Sequence, residues 1–230
     1  KGTNPVHKKT FFPEKMDQQQ SFFAKQQLVA TAAEAEAEEL AASPPARWGS
    51  QEHLRSVVVE HMPIVPFKGL AKFYDIGPLF RSPSVLLAAM CMIEQHFAVD
   101  QIRVDVIAGI DARGFMLGTA LALHLKKPFV MIRKVGKLPQ AITSTKYVKE
   151  YAEDHGADQL CMQEGSVKPG QHVLVVDDVV ATGGTLRAAV EVVTGLGGVV
   201  SECCCLAYLA HLGAAAKVNA PIWGIVVDRE

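Results

Sequence analysis

Residues 173–185, VLVVDDVVATGGT, close an apolar run on two adjacent carboxylates, Asp177 and Asp178. A stretch of small and hydroxyl-bearing residues follows: Ala181, Thr182, Gly183, Gly184 and Thr185. Carboxylates at the end of a buried strand can grip hydroxyls or a metal. Glycines let a phosphate approach the backbone, and N–H groups at the start of a following helix can hold a dianion with the Thr182 and Thr185 hydroxyls. Such a site suits a phosphorylated sugar such as a ribose. The plainer alternative is an acidic turn before a glycine-rich helix start. The order of strand, acid pair, small loop and helix favours binding. A Walker loop needs G-x-x-x-x-G-K-[ST], which does not occur. GLGG (195–198) falls short of G-x-G-x-x-G and follows a helix rather than a strand.

Three other segments carry polar chemistry. GIDARGF (109–115) places Asp111 and Arg113 between a strand and a helix. Arg113 has two uses open to it, an anion or an ion pair with Asp111. RKVGKLP (133–139) gathers Arg133, Lys134 and Lys137 where a strand ends. Such runs are commonly exposed basic loops, but cations there can also neutralise a departing anion. KYVKEYAEDHG (146–156) follows a polar stretch and reads as part of a lid that closes over a reactive intermediate and excludes water. Glu150 taken alone would be a surface carboxylate.

These segments need a scaffold. Helical spacing marks 83–97 and 114–127, the latter ending in lysines, and 184–198, with glycines at its end. A short helix fits 51–62, stopped by Pro63 and Pro66. Apolar runs at 102–109, 128–134, 172–178, 199–209 and 221–227 read as strands. Alternating strands and helices predict an α/β fold, a mostly parallel sheet flanked by helices. Ligands of such sheets bind beyond the carboxyl ends of the strands, where the acid pair falls. Residues 1–50 differ: Ala/Glu-rich at 31–42, broken by SPPARWGS (43–50), they read as a peripheral N-terminal extension to a domain at 51–230.

The 230 residues carry a formal net charge of -1, with 49% hydrophobic and 20% charged residues, which excludes nucleic-acid binding by bulk charge. No stretch approaches the length of a membrane helix, and no secretory signal is evident. Cys203, Cys204 and Cys205 alternate across a strand and cannot converge on one metal. They read as small buried residues of a reducing compartment, the cytoplasm or another reducing interior.

VLVVDDVVATGGT resembles the phosphoribosyl-pyrophosphate (PRPP) motif of the type I phosphoribosyltransferases. The resemblance implies that Asp177 and Asp178 take the ribose hydroxyls, and that Ala181, Thr182, Gly183, Gly184 and Thr185 take the 5′-phosphate. GIDARGF resembles the pyrophosphate loop of the adenine-specific branch, which implies pyrophosphate contacts at Asp111, Ala112 and Arg113 and a cis Asp111–Ala112 peptide. RKVGKLP is similar to a motif of the same branch, implying that Arg133, Lys134 and Lys137 contact pyrophosphate, some across a homodimer interface. Glu150 and Tyr151 resemble the pair in the family's catalytic loop, with Glu150 near purine N7. FKGLAKFYDIGPLF (67–80) resembles the family's small N-terminal hood, usually G-x-x-F-R-D-I. Phe73 would stack on the base, and the backbones of Lys72 and Tyr74 would read its edge. The chain departs from that pattern twice: Tyr74 stands where arginine is common, and one extra residue separates Gly69 from Phe73.

The resemblance covers about 61–227 and implies a hood near 61–80 and a catalytic lid near 135–156. It implies conversion of adenine and PRPP to AMP and pyrophosphate, with Mg²⁺ held mainly by substrate rather than by direct protein ligands. Catalysis would rest on Glu150, Arg113 and Asp178. A 6-oxopurine enzyme and a non-catalytic PRPP-sensing relative are the alternatives. The last strand region offers Trp223 but no lysine for a 6-oxo group, and the extension has no helix-turn-helix pattern.

Overall fold

The computed structural model describes residues 50–67, 70–144, 147–148 and 157–230. The chain enters through helix α1 (Gln51–Glu60), whose first turn is capped by the Ser50 hydroxyl accepting from His53 N at 3.3 Å. A hairpin follows, β1 (Ile64–Phe67) and β2 (Leu70–Tyr74), then α2 (Gly77–Phe80) and α3 (Pro83–Val99). Proline starts α3 at a position where its missing N–H costs nothing.

The main sheet is built from β3 (Val106–Ile110), β4 (Phe129–Lys134), β5 (Ala141–Thr143), β8 (Leu160–Gln163), β9 (His172–Val176), β10 (Val179–Val180), β11 (Val199–Leu209) and β12 (Ile222–Asp228). β6 (Tyr147–Val148) and β7 (Ala157–Asp158) form a separate antiparallel pair. Helix α4 (Arg113–Leu125) joins β3 to β4, and α5 (Gly184–Gly195) joins β10 to β11. The parallel strands lie in the order β4-β3-β9-β11-β12. From β3 the chain first moves one way, to β4, and later the other way, to β9. That reversal opens a crevice at the carboxyl ends of β3 and β9.

Both faces of the sheet are buried. Val106, Ala108, Val173, Val175, Cys203 and Cys205 cluster with Leu186, Ala189, Val190 and Val193 of α5. Ile107, Leu174 and Cys204, the alternating positions, are equally closed off. Burial pushes the thiols of Cys203, Cys204 and Cys205 up, so they stay protonated and act as packing residues. At the far side of the sheet from the crevice, the His96 ring lies between Glu202 (2.7 Å) and Asp100 (2.9 Å). The same ring stacks on Trp223, with centroids 4.4 Å and planes 8° apart.

The structure corrects two expected boundaries. The first parallel strand begins at Val106 and not at 102, because Asp105 is used as an anchor: its carboxylate accepts from His172 N at 2.9 Å. Residues 141–144, expected in the lid, belong to the sheet edge instead. β5 pairs antiparallel with β8, and the buried Ser144 hydroxyl accepts from Leu160 N at 3.0 Å. Alternation over these short segments was too brief to read as strand from sequence. Among the described residues no helix is long and apolar enough to cross a membrane.

Candidate active site at the crevice

The acid pair interrupts a strand. β9 and β10 run end to end along the same edge of β11, with Val176 opposite Cys204 and Val179 opposite Ala207. Between them, Asp177 N donates to Cys204 O at 3.1 Å, while Asp178 O accepts from Leu206 N and Ala207 N at 3.0 and 3.1 Å. The backbone is therefore satisfied and both side chains are held at the strand's carboxyl end. Asp178 is only 2% exposed. Its Oδ2 is closed off and accepts no hydrogen bond, although Arg113 Nη1 stands 3.0 Å away as an ion partner. Asp177 Oδ1 accepts from Asp178 N at 2.9 Å. Burial pushes both carboxyls up. The neighbouring acid raises Asp177 further, and the Arg113 guanidinium pulls Asp178 partly back.

Arg113 reaches Asp178 because α4 starts against the end of β9. A Cβ on Gly114 would lie 2.4 Å from Val176 O, so only glycine admits this approach. The Asp111–Ala112 peptide is cis, as the resemblance implied. The pairing of charges is not the one open from sequence. Arg113 forms its ion pair with Asp178 rather than Asp111, and Asp111 takes Arg133 instead, Nε to Oδ2 at 2.9 Å. The Arg133 guanidinium also lies 5.8 Å from the Phe115 ring centre. Arg133 is thereby tied to the β3 loop, while Lys134 and Lys137 are exposed beside it.

The loop Ala181–Thr185 turns directly into α5. Gly183 caps that helix at φ 84°, a conformation that favours glycine, and it packs on Ala214. The helix start thus points its N–H groups to the crevice end of the sheet, as an anion site needs.

The segment expected as a hood is the β1–β2 hairpin, which sequence periodicity did not show as strands. Val65 pairs with Phe73 and Phe67 with Leu70, so two β2 residues, Ala71 and Lys72, stand opposite Pro66 alone. The extra residue before Phe73 is absorbed there as a bulge. Phe73 packs on Phe67 with centroids 4.8 Å apart, and the Arg113 guanidinium lies 5.8 Å from its ring centre. Phe73, Arg113 and Asp178 form one contact chain from hood to acid pair. Tyr74 is buried, and its hydroxyl donates to Asp228 Oδ2 at 3.1 Å, a contact sequence reasoning missed. Burial raises the Tyr74 hydroxyl to about 12, helped by Asp228. Asp75 has a local role: its Oδ1 accepts from Gly77 N at 2.9 Å. Glu150 and Tyr151 lie outside the described residues.

The strand order and the crevice define an open α/β protein with its ligand site at the sheet's reversal point. A family model described as "Phosphoribosyl transferase domain" matches residues 76–225. The chain is 42% identical over 170 residues to adenine phosphoribosyltransferase of Caenorhabditis elegans, covering 73% of this chain and 89% of that protein. The chain belongs to the phosphoribosyltransferase family, among the adenine phosphoribosyltransferases. The solved Saccharomyces cerevisiae adenine phosphoribosyltransferase, complexed with D-2,5-dideoxy-2,5-imino-altritol 1,6-bisphosphate and adenine, has a TM-score of 0.68 at 32% identity over 75% of this chain and 98% of that one. The Trypanosoma brucei enzyme, in complex with AMP, pyrophosphate and ribose-5-phosphate, has a TM-score of 0.68 at 28% identity over 76% and 79%.

Proposed function

We propose that the protein transfers the phosphoribosyl group of PRPP to adenine, giving AMP and pyrophosphate. The observation that carries this reading is the contact chain Phe73–Arg113–Asp178, which joins an aromatic hood to a buried acid pair beside a helix-start loop. In this reading the bond between the anomeric carbon and pyrophosphate breaks as that carbon bonds to adenine N9, which loses its proton. Adenine is the nucleophile, so the protein positions the reactants, stabilises charge and excludes water. Asp177 and Asp178 hold the ribose hydroxyls and oppose positive charge on the sugar. The loop Ala181–Thr185 holds the 5′-phosphate. Asp111, Ala112 and Arg113, with Arg133, Lys134 and Lys137, line the pyrophosphate side. Phe73 stacks on the base, the backbones of Lys72 and Tyr74 read its edge, and Glu150 shares a proton at N7 with Tyr151 beside it in the lid.

The acid pair's oxygens and the nearby cations suit a substrate that carries Mg²⁺ on its own phosphates. Mg²⁺ favours oxygen ligands and water, and when bound it neutralises the leaving pyrophosphate. The last strand carries no lysine for a 6-oxo group, and its Trp223 is stacked on His96 near the amino end of β12. The missing lysine supports adenine over hypoxanthine or guanine. The test is AMP formation from PRPP with adenine, run beside hypoxanthine and guanine. Adenine should be preferred by a wide margin, and equal use of the three would overturn the reading.

The same reading makes the active unit a homodimer in the cytoplasm. Met131 and Val135 are exposed next to the basic loop, where a second copy would bury them. Sedimentation should show a dimer at working concentration. A fully active monomer would sink this part.

A further inference from the structure

The hood is a two-stranded sheet of its own and, among the described residues, shares no strand pairing with the main sheet. Something must fix its height over the crevice. Successive side chains of a strand point to opposite faces, so Lys72 and Tyr74 share one face of β2 and Phe73 takes the other. Tyr74 belongs to one buried cluster with Ala181, the first residue of the phosphate loop, Ala207 and Leu209. Its hydroxyl donates to Asp228 Oδ2 at 3.1 Å, and Lys72 Nζ lies 3.9 Å from the same oxygen. Asp228 is the last residue of β12, in register with Leu209. Its other oxygen accepts from Glu230 N at 3.0 Å and lies 3.9 Å from His211 Nδ1.

We infer that Asp228 is a positioning residue for the purine: by holding the Lys72–Tyr74 face of β2 against the main sheet, it sets where Phe73 presents its ring. It acts through Tyr74 and touches no reacting atom. The inference rests on the reading of Phe73 as the base-stacking residue. It also gives a use to the tyrosine at a position where the family pattern commonly has arginine: its hydroxyl donates to the carboxylate at 228.

The test is steady-state kinetics with adenine and PRPP varied separately in Tyr74→Phe, Asp228→Ala, Asp228→Asn, the double variant Tyr74→Phe/Asp228→Ala, and Phe73→Ala. Tyr74→Phe keeps the ring packing and removes one hydrogen bond to a charged group. KM for adenine should rise about tenfold or more, with KM for PRPP and kcat changed by less than about threefold. Asp228→Ala should do the same, and Asp228→Asn, which keeps an acceptor, should fall between it and wild type. The double variant should be no worse than the worse single one, because both remove the same contact. If Phe73→Ala raises KM for adenine but Tyr74→Phe does not, the inference fails and the base site stands. Additive effects, or equal losses in both KM values with a lowered melting point, also overturn it, since they mark a merely structural role. If Phe73→Ala leaves KM for adenine unchanged, the base-site reading itself is wrong and the inference falls with it.

Discussion

Asp178→Asn is expected to lower turnover about a hundredfold or more, the scale of one lost preorganised electrostatic contact, without lowering the melting temperature. The two effects have one cause. Burial raises the Asp178 carboxyl more than Arg113 lowers it. A group raised in this way gives the fold stability that is fully present below the unfolded pKa, near ~4, and lost as pH rises through the folded pKa. Once ionised, the side chain is therefore a net cost to the fold even with Arg113 beside it. Asparagine removes the charge and keeps the shape. Thermal melts at several pH values should show the variant gaining on wild type as pH rises. Wild-type turnover in a folded variant would sink the catalytic assignment, and a melting point several degrees lower at pH 8 would sink the electrostatic one.

Gly114→Ala is expected to destabilise the protein by about 3 kcal/mol or more, the upper range for overpacking a filled site. The new methyl would stand 2.4 Å from Val176 O and 3.3 Å from Asp177 Cα. Both obstacles are backbone, so no side chain can rotate away. Relief requires α4 to back off from β9, and that move takes Arg113 from Asp178. Denaturant unfolding should show a lower midpoint, and residual folded protein should have reduced turnover. A variant with wild-type midpoint would mean that the start of α4 has slack the structure does not show.

The long elements were legible because their patterns are long. Helices at 83–99 and 113–125 and the strand at 199–209 carry enough apolar positions to declare their period, and the acid pair stands out because charge at the end of VLVV is costly unless used. The hood and sheet edge were not legible as strands. Ile64–Phe67 is exposed along its whole length, and Ala141–Thr143 is three residues long, so neither shows alternation. Ion-pair partners were also beyond reach. Asp111 and Arg113 are near neighbours in sequence, yet the turn into α4 sends Arg113 to Asp178 and leaves Asp111 to Arg133. Tyr74 looked like a departure from a family pattern, and its reason lay at Asp228, 154 positions away.

That last span bears on how the pocket comes into being. Asp228, which accepts from the hairpin's Tyr74, sits at the end of the last strand, and the two walls of the crevice come from β3 and β9, which pair only after the chain between them has been made. Long-range pairings of this kind form late in folding. A growing chain that has passed the hood therefore owns the ring of Phe73 but has nothing to hold it over. Purine affinity should arise as a single late event when β12 docks. A protein cut between α5 and β11 should show none in either half and regain it only on mixing.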